Sequence, residues 1–286
     1  MASRPVYRSQ ACRAAKQGSE MTGAFSDPET GVSTSKTADL AMLGSPSWAK
    51  VTPSTRLATR LGNLFRRAAV RSSTACRDRR ARLFIERLQP SATDEIIDLG
   101  GGKGGYLAGI LPYRGNVTIA DVDPAVLNIA SETYGFNTVC LDGADTFPIA
   151  DGEYDVVFCS SVIEHITGPR EVIFDILDSK QFAASARTAQ ANFAAEIRRI
   201  GKRYFVQTPY KYFPVEPHSF LPFFIVWLPR RWQIKLLAFF GRHWIKSVQA
   251  DFRLLTIKDM HELFPDAEIL LEHYCGFLKS IVAIKV

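Results

Sequence analysis

The 286-residue chain predicts an α/β fold in which a mostly parallel sheet carries helices on both faces. Three observations lead there. Short runs rich in β-branched and aromatic residues recur from residue 95 onward, helical segments separate them, and a glycine-rich turn follows directly on the first run. The runs are apolar throughout instead of alternating, which marks strands buried on both faces.

In order, the predicted strands are Glu95 to Leu99 (EIIDL), Val117 to Ala120, Thr138 to Leu141, Tyr154 to Ser160 and Arg203 to Thr208, each too short for a helix. Gly104 to Leu111, Pro124 to Tyr134, Pro169 to Leu177 and Ala189 to Ile200 supply the crossovers. Glu268 to His273 and Phe277 to Val286 flank Cys275-Gly276, a connection short enough for an antiparallel hairpin at the sheet edge.

The chain divides into three parts. Residues 1–53 are rich in Ser, Thr, Ala and Gly with few branched aliphatics, and are expected to be a disordered tail. Residues 54–90 form basic helices. In the first, Leu57, Leu61, Leu64, Phe65 and Ala68 share one side, with Arg56, Arg60, Arg66, Arg67 and Arg71 around it; its role is packing on the domain or contact with anionic lipid or substrate. The second, about Cys76 to Leu88, directs Leu83, Phe84, Ile85 and Leu88 toward a core and ends at Pro90. Residues 91–286 make the α/β domain.

Composition removes several classes. With 47% hydrophobic residues, 19 Gly and 15 Pro, the chain is neither collagen-like nor wholly disordered. The formal charge of +6 is uneven: residues 1–90 hold 16 Lys+Arg against 6 Asp+Glu, leaving 19 against 23 in the rest. The positive charge is therefore N-terminal and is poor evidence for a nucleic-acid-binding core. Five cysteines show no C-x-x-C and no histidine pair at zinc-ligand spacing, so no metal site is expected, and the thiols should be free in a reducing compartment. Phe220 to Leu228, the most apolar stretch, is interrupted by Pro222 and falls far short of the ~20 residues that span a bilayer.

The sharpest chemical signal is Ile96-Ile97-Asp98-Leu99-Gly100-Gly101-Gly102-Lys103-Gly104-Gly105-Tyr106, a strand, an acid, a glycine turn and a helix start. Glycines let backbone turn tightly and let a ligand approach, while a helix N-terminus offers unpaired N–H groups. Asp98 would repel a pyrophosphate but suits a cationic or zwitterionic amino-acid group. At the end of the second strand, Asp121 stands where a carboxylate accepts both hydroxyls of a ribose. Pro124 opens the next helix, making Asp123 its N-cap and leaving Asp121 as the ribose ligand.

These residues resemble the class I S-adenosylmethionine-dependent methyltransferases over about residues 80 to 286. Asp98-Leu99-Gly100-Gly101-Gly102-Lys103-Gly104 resembles that family's first motif and Asp121-Val122-Asp123-Pro124 its second; Asp142-Gly143-Ala144-Asp145 before Pro148 resembles the adenine loop, and Tyr154-Asp155-Val156-Val157 the fourth strand. The resemblance implies a Rossmann-like seven-stranded sheet with the last strand antiparallel, and S-adenosyl-L-methionine as cofactor. It implies cofactor contacts from Asp98, Gly100, Gly102, Gly104, Asp121, Ala144 and Ser160, with Asp142 or Asp145 facing adenine. An apparent extra residue before Pro148 leaves those two acids as alternatives.

Ser160-Ser161-Val162-Ile163-Glu164-His165-Ile166 follows the fourth strand. It lacks the Asn/Asp-Pro-Pro-aromatic tetrad of nucleobase amino-methyltransferases and the Pro-Cys of cytosine C5 enzymes, and its Glu-His pair resembles the branch acting on small molecules, quinones, lipids and sugars. His165 either packs under the cofactor or takes a catalytic part. The fifth strand leads into Gln207 to His218, with Tyr210 and Glu216 as substrate contacts and His218 as a candidate base for a hydroxyl acceptor, its reference pKa of ~6.5 suiting that task. The same residues Glu216 and His218 could instead pin a proline-stiffened loop. Residues 209–250 then form an aromatic and basic lid, which covers the site or rests on a membrane surface.

The function expected is methyl transfer to a small or lipid-linked acceptor at oxygen, in the cytoplasm, with peripheral membrane contact left open and nucleic acid disfavoured. The alternatives are a non-catalytic S-adenosylmethionine-binding regulatory module and an NAD-type oxidoreductase.

Overall fold

The structure, a computed structural model, describes residues 74–141, 143, 146–214, 228–241 and 251–286. The tail, the basic helix from residue 54 and much of the 209–250 lid lie outside the described residues.

The chain runs through helix α1 (74–88), β1 (Ile96–Leu99), α2 (Gly105–Ile110), β2 (Val117–Asp121), α3 (Pro124–Tyr134), β3 (Asn137–Cys140) and β4 (Tyr154–Ser160). A 3-10 turn (Ile163–His165), α4 (Arg170–Ile173), α5 (Ser179–Ile200), β5 (Gly201–Pro209), α6 (Arg230–Gly241), α7 (Ile257–Leu263), β6 (Glu268–Tyr274) and β7 (Phe277–Lys285) follow. The strands form one seven-stranded sheet in the order β3-β2-β1-β4-β5-β7-β6. Strand β7 alone runs antiparallel to its neighbours β5 and β6. The expected Rossmann-like α/β sheet with an antiparallel last strand is thus present.

Period-two alternation splits each apolar strand between two cores. On one face, Ile97, Val157, Tyr204 and Val206 pack under Phe193, Ala194 and Ile197 of α5 and Met260 of α7. On the other, Ile96, Val117, Val156, Phe158 and Phe205 meet Phe84 and Leu88 of α1, Leu107 of α2 and Leu127 of α3. Phe84 stands edge-on to Phe158 at 4.9 Å and to Phe205 at 5.7 Å, and those two rings stack at 5.4 Å. Of the four residues expected to point inward from α1, Phe84 and Leu88 are buried and Leu83 packs partly buried against the same core, whereas Ile85 is exposed.

Element ends follow local chemistry. Pro124 starts α3 while the Asp123 side chain accepts from the backbone N–H of Ala125, the N-cap role read from the sequence. Helix α5 begins ten residues earlier than expected, because Asp178 accepts from the N–H groups of Lys180 and Gln181 and caps it there. Cys76, Cys159 and Cys275 are free thiols. Cys140 is disulfide-bonded, which corrects the expectation of free thiols throughout.

Candidate functional site

Parallel strands place their carboxyl ends at one edge, and the predicted cofactor residues collect there. Strand β1 delivers Asp98, which is 4% exposed, and the glycine turn follows it. The N–H of Gly100 donates to the Ala120 carbonyl at 2.7 Å, tying the turn to β2. Gly100 and Gly104 have φ of +71° and +75°, a region side chains rarely enter, and a Cβ on Gly104 would stand 2.8 Å from the Phe136 ring. Glycine there is demanded by both backbone and neighbour.

Two carboxylates share this cradle. Asp121 accepts from the N–H of Gly102 at 3.0 Å through Oδ2 and from the N–H of Asp123 at 3.1 Å through Oδ1. Gly101 leaves no room over Asp98: a Cβ would lie 2.6 Å from its Oδ2. Burial, and secondarily the Asp121 carboxylate, push Asp98 well above the usual carboxylate range. At Gly102, by contrast, nothing lies within 4 Å of the Cβ position, so backbone is open to an approaching ligand. A buried acid beside a second acid, next to open backbone, fits a ligand carrying positive charge and hydroxyls. That is the chemistry of S-adenosylmethionine, and Asp98, Gly102 and Asp121 are the residues that could hold it.

The next strand end adjoins this loop. Ser160 of β4 and Ser161 both donate to Oε1 of Gln207 on β5, at 2.8 and 3.1 Å, and Arg80 of α1 donates to the same oxygen at 2.5 Å. Ser160, expected at the cofactor, is therefore also part of a polar cluster that pins α1 to the sheet. Arg80 lies 3.4 Å from Glu272, which in turn accepts from Ser280. His165 follows on the 3-10 turn with a third of its side chain exposed, and Glu164 before it is fully buried, accepting from Thr208 at 3.0 Å. Tyr210 sits just past β5, half-buried and edge-on to Tyr212 at 5.5 Å.

Asp98, Gly100, Gly102, Gly104, Asp121, Ser160 and His165 thus gather at one edge. Asp142, Ala144, Asp145, Glu216 and His218 lie outside the described residues.

Several contributors were not visible in the sequence. Glu196 of α5 accepts from the N–H of Phe147 at 2.7 Å, and Arg199 donates to the carbonyls of Ile149 and Phe147, so the far end of the loop after β3 is clamped from α5. The Arg199 guanidinium bonded to Glu196 holds that carboxyl below its ordinary range. An i,i+3 acid–base pair on a helix reads in the sequence only as a solvated pair.

Arg230 corrects part of the lid reading. It is 2% exposed, its guanidinium donates to the carbonyls of Ile173 and Ile176 at 2.7 Å each, and it lies 3.4 Å over the Phe182 ring. A side chain so enclosed cannot meet a membrane; it anchors α6 to α4 and α5. Arg231 and Trp232 beside it are exposed. Among the described residues no helix is long and apolar enough to cross a membrane, and no His/Cys/Asp/Glu cluster has metal-binding form.

Residues 97–203 match the family model described as a methyltransferase domain. A 49-residue stretch, 17% of the chain, is 39% identical to the ubiquinone/menaquinone biosynthesis C-methyltransferase UbiE of Zymomonas mobilis; the match spans a fifth of that relative's length. Among solved structures, YcgJ from Bacillus subtilis aligns with a TM-score of 0.43 at 14% identity, covering 68% of this chain and 71% of the other. Magnesium protoporphyrin IX methyltransferase from Synechocystis PCC 6803 aligns with a TM-score of 0.42 at 14% identity, covering 75% and 84%.

Proposed function

We propose that this chain, in which residues 97–203 match a methyltransferase domain, is a class I S-adenosylmethionine-dependent methyltransferase that transfers a methyl group to an oxygen of a small or lipid-linked acceptor. The observation that carries the reading is the pair of carboxylates, Asp98 and Asp121, around the open backbone of Gly102. When bound, the cofactor supplies a methyl group already activated on a sulfonium, which leaves the chain to bind, align and accept a proton. Asp98 receives the amino-acid end, Asp121 the ribose hydroxyls, and the clamped loop after β3 the adenine, through Asp142 or Asp145 with Ala144. Tyr210 and Glu216 line the acceptor side, with His218 or His165 as the proton acceptor.

A second reading places the methyl group on a quinol ring carbon, and the 49-residue match to UbiE favours it. Incubating the full chain with isotopically labelled S-adenosylmethionine and either a catechol or a demethylated quinol, followed by mass spectrometry, separates the two. A labelled methyl ether supports oxygen transfer; a labelled ring methyl supports carbon transfer. Binding of S-adenosylmethionine without release of S-adenosylhomocysteine across host extracts would turn the reading to a regulatory module. Calorimetric binding of NAD in its place would turn it to an oxidoreductase.

The location proposed is cytoplasmic, with α6 touching an anionic membrane. Exposed Trp232, with the Lys235 ammonium 5.7 Å over its ring and Arg231 alongside, supports that contact.

A further inference from the structure

His165 has a neighbour that sequence distance hides. Its Nδ1 lies 3.4 Å from Oδ1 of Asp251, and the Asp251 side chain is mostly buried. The segment carrying Asp251 is stitched to the segment carrying His165. Thr167 Oγ1 donates to the Asp251 carbonyl at 3.0 Å, and the Arg253 N–H donates to the Glu164 carbonyl at 2.8 Å. Buried Gln190 of α5 bridges both sides, donating at 3.0 Å to the carbonyls of Ile163 and Arg253. The Arg253 guanidinium returns to Gln190 Oε1 and to Asp259, at 2.6 Å each. These ties hold the segment of the imidazole and the segment of the carboxylate in one relation. The frame also abuts the cofactor turn, since Val162 packs against Gly100.

We propose that Asp251 is a positioning residue for His165: its carboxylate accepts a hydrogen bond from the ring's Nδ1–H, fixes that tautomer, and so makes Nε2 the nitrogen that accepts a proton from the acceptor's hydroxyl. A carboxylate behind one ring nitrogen is how a histidine is held in a single tautomer. In the step served, the acceptor O–H bond breaks as the proton moves to Nε2. The oxygen lone pair forms the new C–O bond while the C–S bond of the methyl donor breaks, its electron pair staying on sulfur. The acceptor's identity as a hydroxyl rests on the functional reading above; the geometry of the pair does not.

Nitrogen-15 NMR of the full chain labelled at its five histidines tests the pair without turnover. His165 signals are assigned by their loss in His165→Gln, at about pH 8, above the reference pKa of histidine. The wild type should show the Nδ1–H tautomer at His165, Asp251→Ala should show Nε2–H, and Asp251→Asn, which keeps an acceptor oxygen, should retain Nδ1–H. An Nε2–H wild type, or an unchanged pattern in Asp251→Ala, overturns the proposal. With a catechol as probe acceptor, Asp251→Ala should lower kcat about tenfold or more and leave the KM for S-adenosylmethionine within about twofold; an undiminished kcat also overturns it. Failure of the wild type to methylate the catechol counts against the oxygen-transfer reading, and the tautomer measurement still decides the pair.

Discussion

A Cβ placed on Gly100 would stand 2.5 Å from Cγ2 of Val162, so the turn after β1 and the turn after β4 meet with no space for a methyl group between them. The contact joins the cofactor cradle to the segment that carries His165. Gly100→Ala therefore combines a clash with a left-handed φ of +71°. The expected cost is about 2–4 kcal/mol, a fall in thermal midpoint of roughly 5–15 °C, with S-adenosylmethionine affinity down at least about tenfold. Calorimetry on the double variant Gly100→Ala/Val162→Ala checks the cause: it should recover part of both losses, and no recovery would place the damage in the backbone alone.

Asp98 should show opposite effects on stability and binding. Its raised folded-state pKa means the fold favours the protonated acid. The stabilisation this gives is fully present below the unfolded carboxylate range and is lost as pH rises through the raised value. At neutral pH without ligand, Asp98→Asn should be more stable than the wild type, by about 2–4 °C for each kcal/mol of relieved burial cost, and should bind S-adenosylmethionine at least about tenfold more weakly. Thermal midpoints from pH 4 to pH 8 should fall more steeply for the wild type; parallel profiles would remove Asp98 as the titrating group.

Asp121 and Asp123 should separate cleanly. Asp121→Ala removes the acceptor of two loop N–H groups and is expected to weaken S-adenosylmethionine binding by about 1.5–3 kcal/mol. Asp123→Ala removes the cap of α3 and should cost about 1 kcal/mol of stability with affinity within about twofold. Reversal of the two patterns would transfer the ribose to Asp123.

The basic face of α6 divides likewise. Arg230→Ser strands the buried carbonyl of Ile173 and the part-buried carbonyl of Ile176 and should lower stability by about 2–4 kcal/mol, seen as a lowered midpoint by circular dichroism. The pair Arg231→Ser and Trp232→Ser, on exposed positions, should leave the midpoint nearly unchanged and reduce pelleting with anionic vesicles at low salt. A wild type that stays in the supernatant with those vesicles would end the membrane-surface proposal.

The glycine turn, the Asp123 cap and the strands were legible because each depends on residues within a few positions: an acid and glycines after an apolar run, a Pro after an Asp, β-branched residues in short blocks. Strand boundaries shifted by a residue or two, as with β5, which starts at Gly201 and not Arg203, since pairing with β4 extends a ladder beyond its local preference. The start of α5 is not legible in the sequence, because Asp178 caps it ahead of a polar stretch without apolar period.

What the sequence determined by itself was the order of elements and the glycine turn, where backbone conformation admits few residue types. Only the tertiary structure decided the partners of long polar side chains. Arg80 and Gln207 are 127 positions apart, and Gln190 and Arg253 are 63 apart. In sequence, Arg230 looks like its exposed neighbour Arg231, and Asp251 like any loop acid. An arginine or a carboxylate is costly to bury without partners, so its role is set by which carbonyl, ring or imidazole the packed chain brings within about 3 Å, and that selection is made by the whole sheet and its helices together.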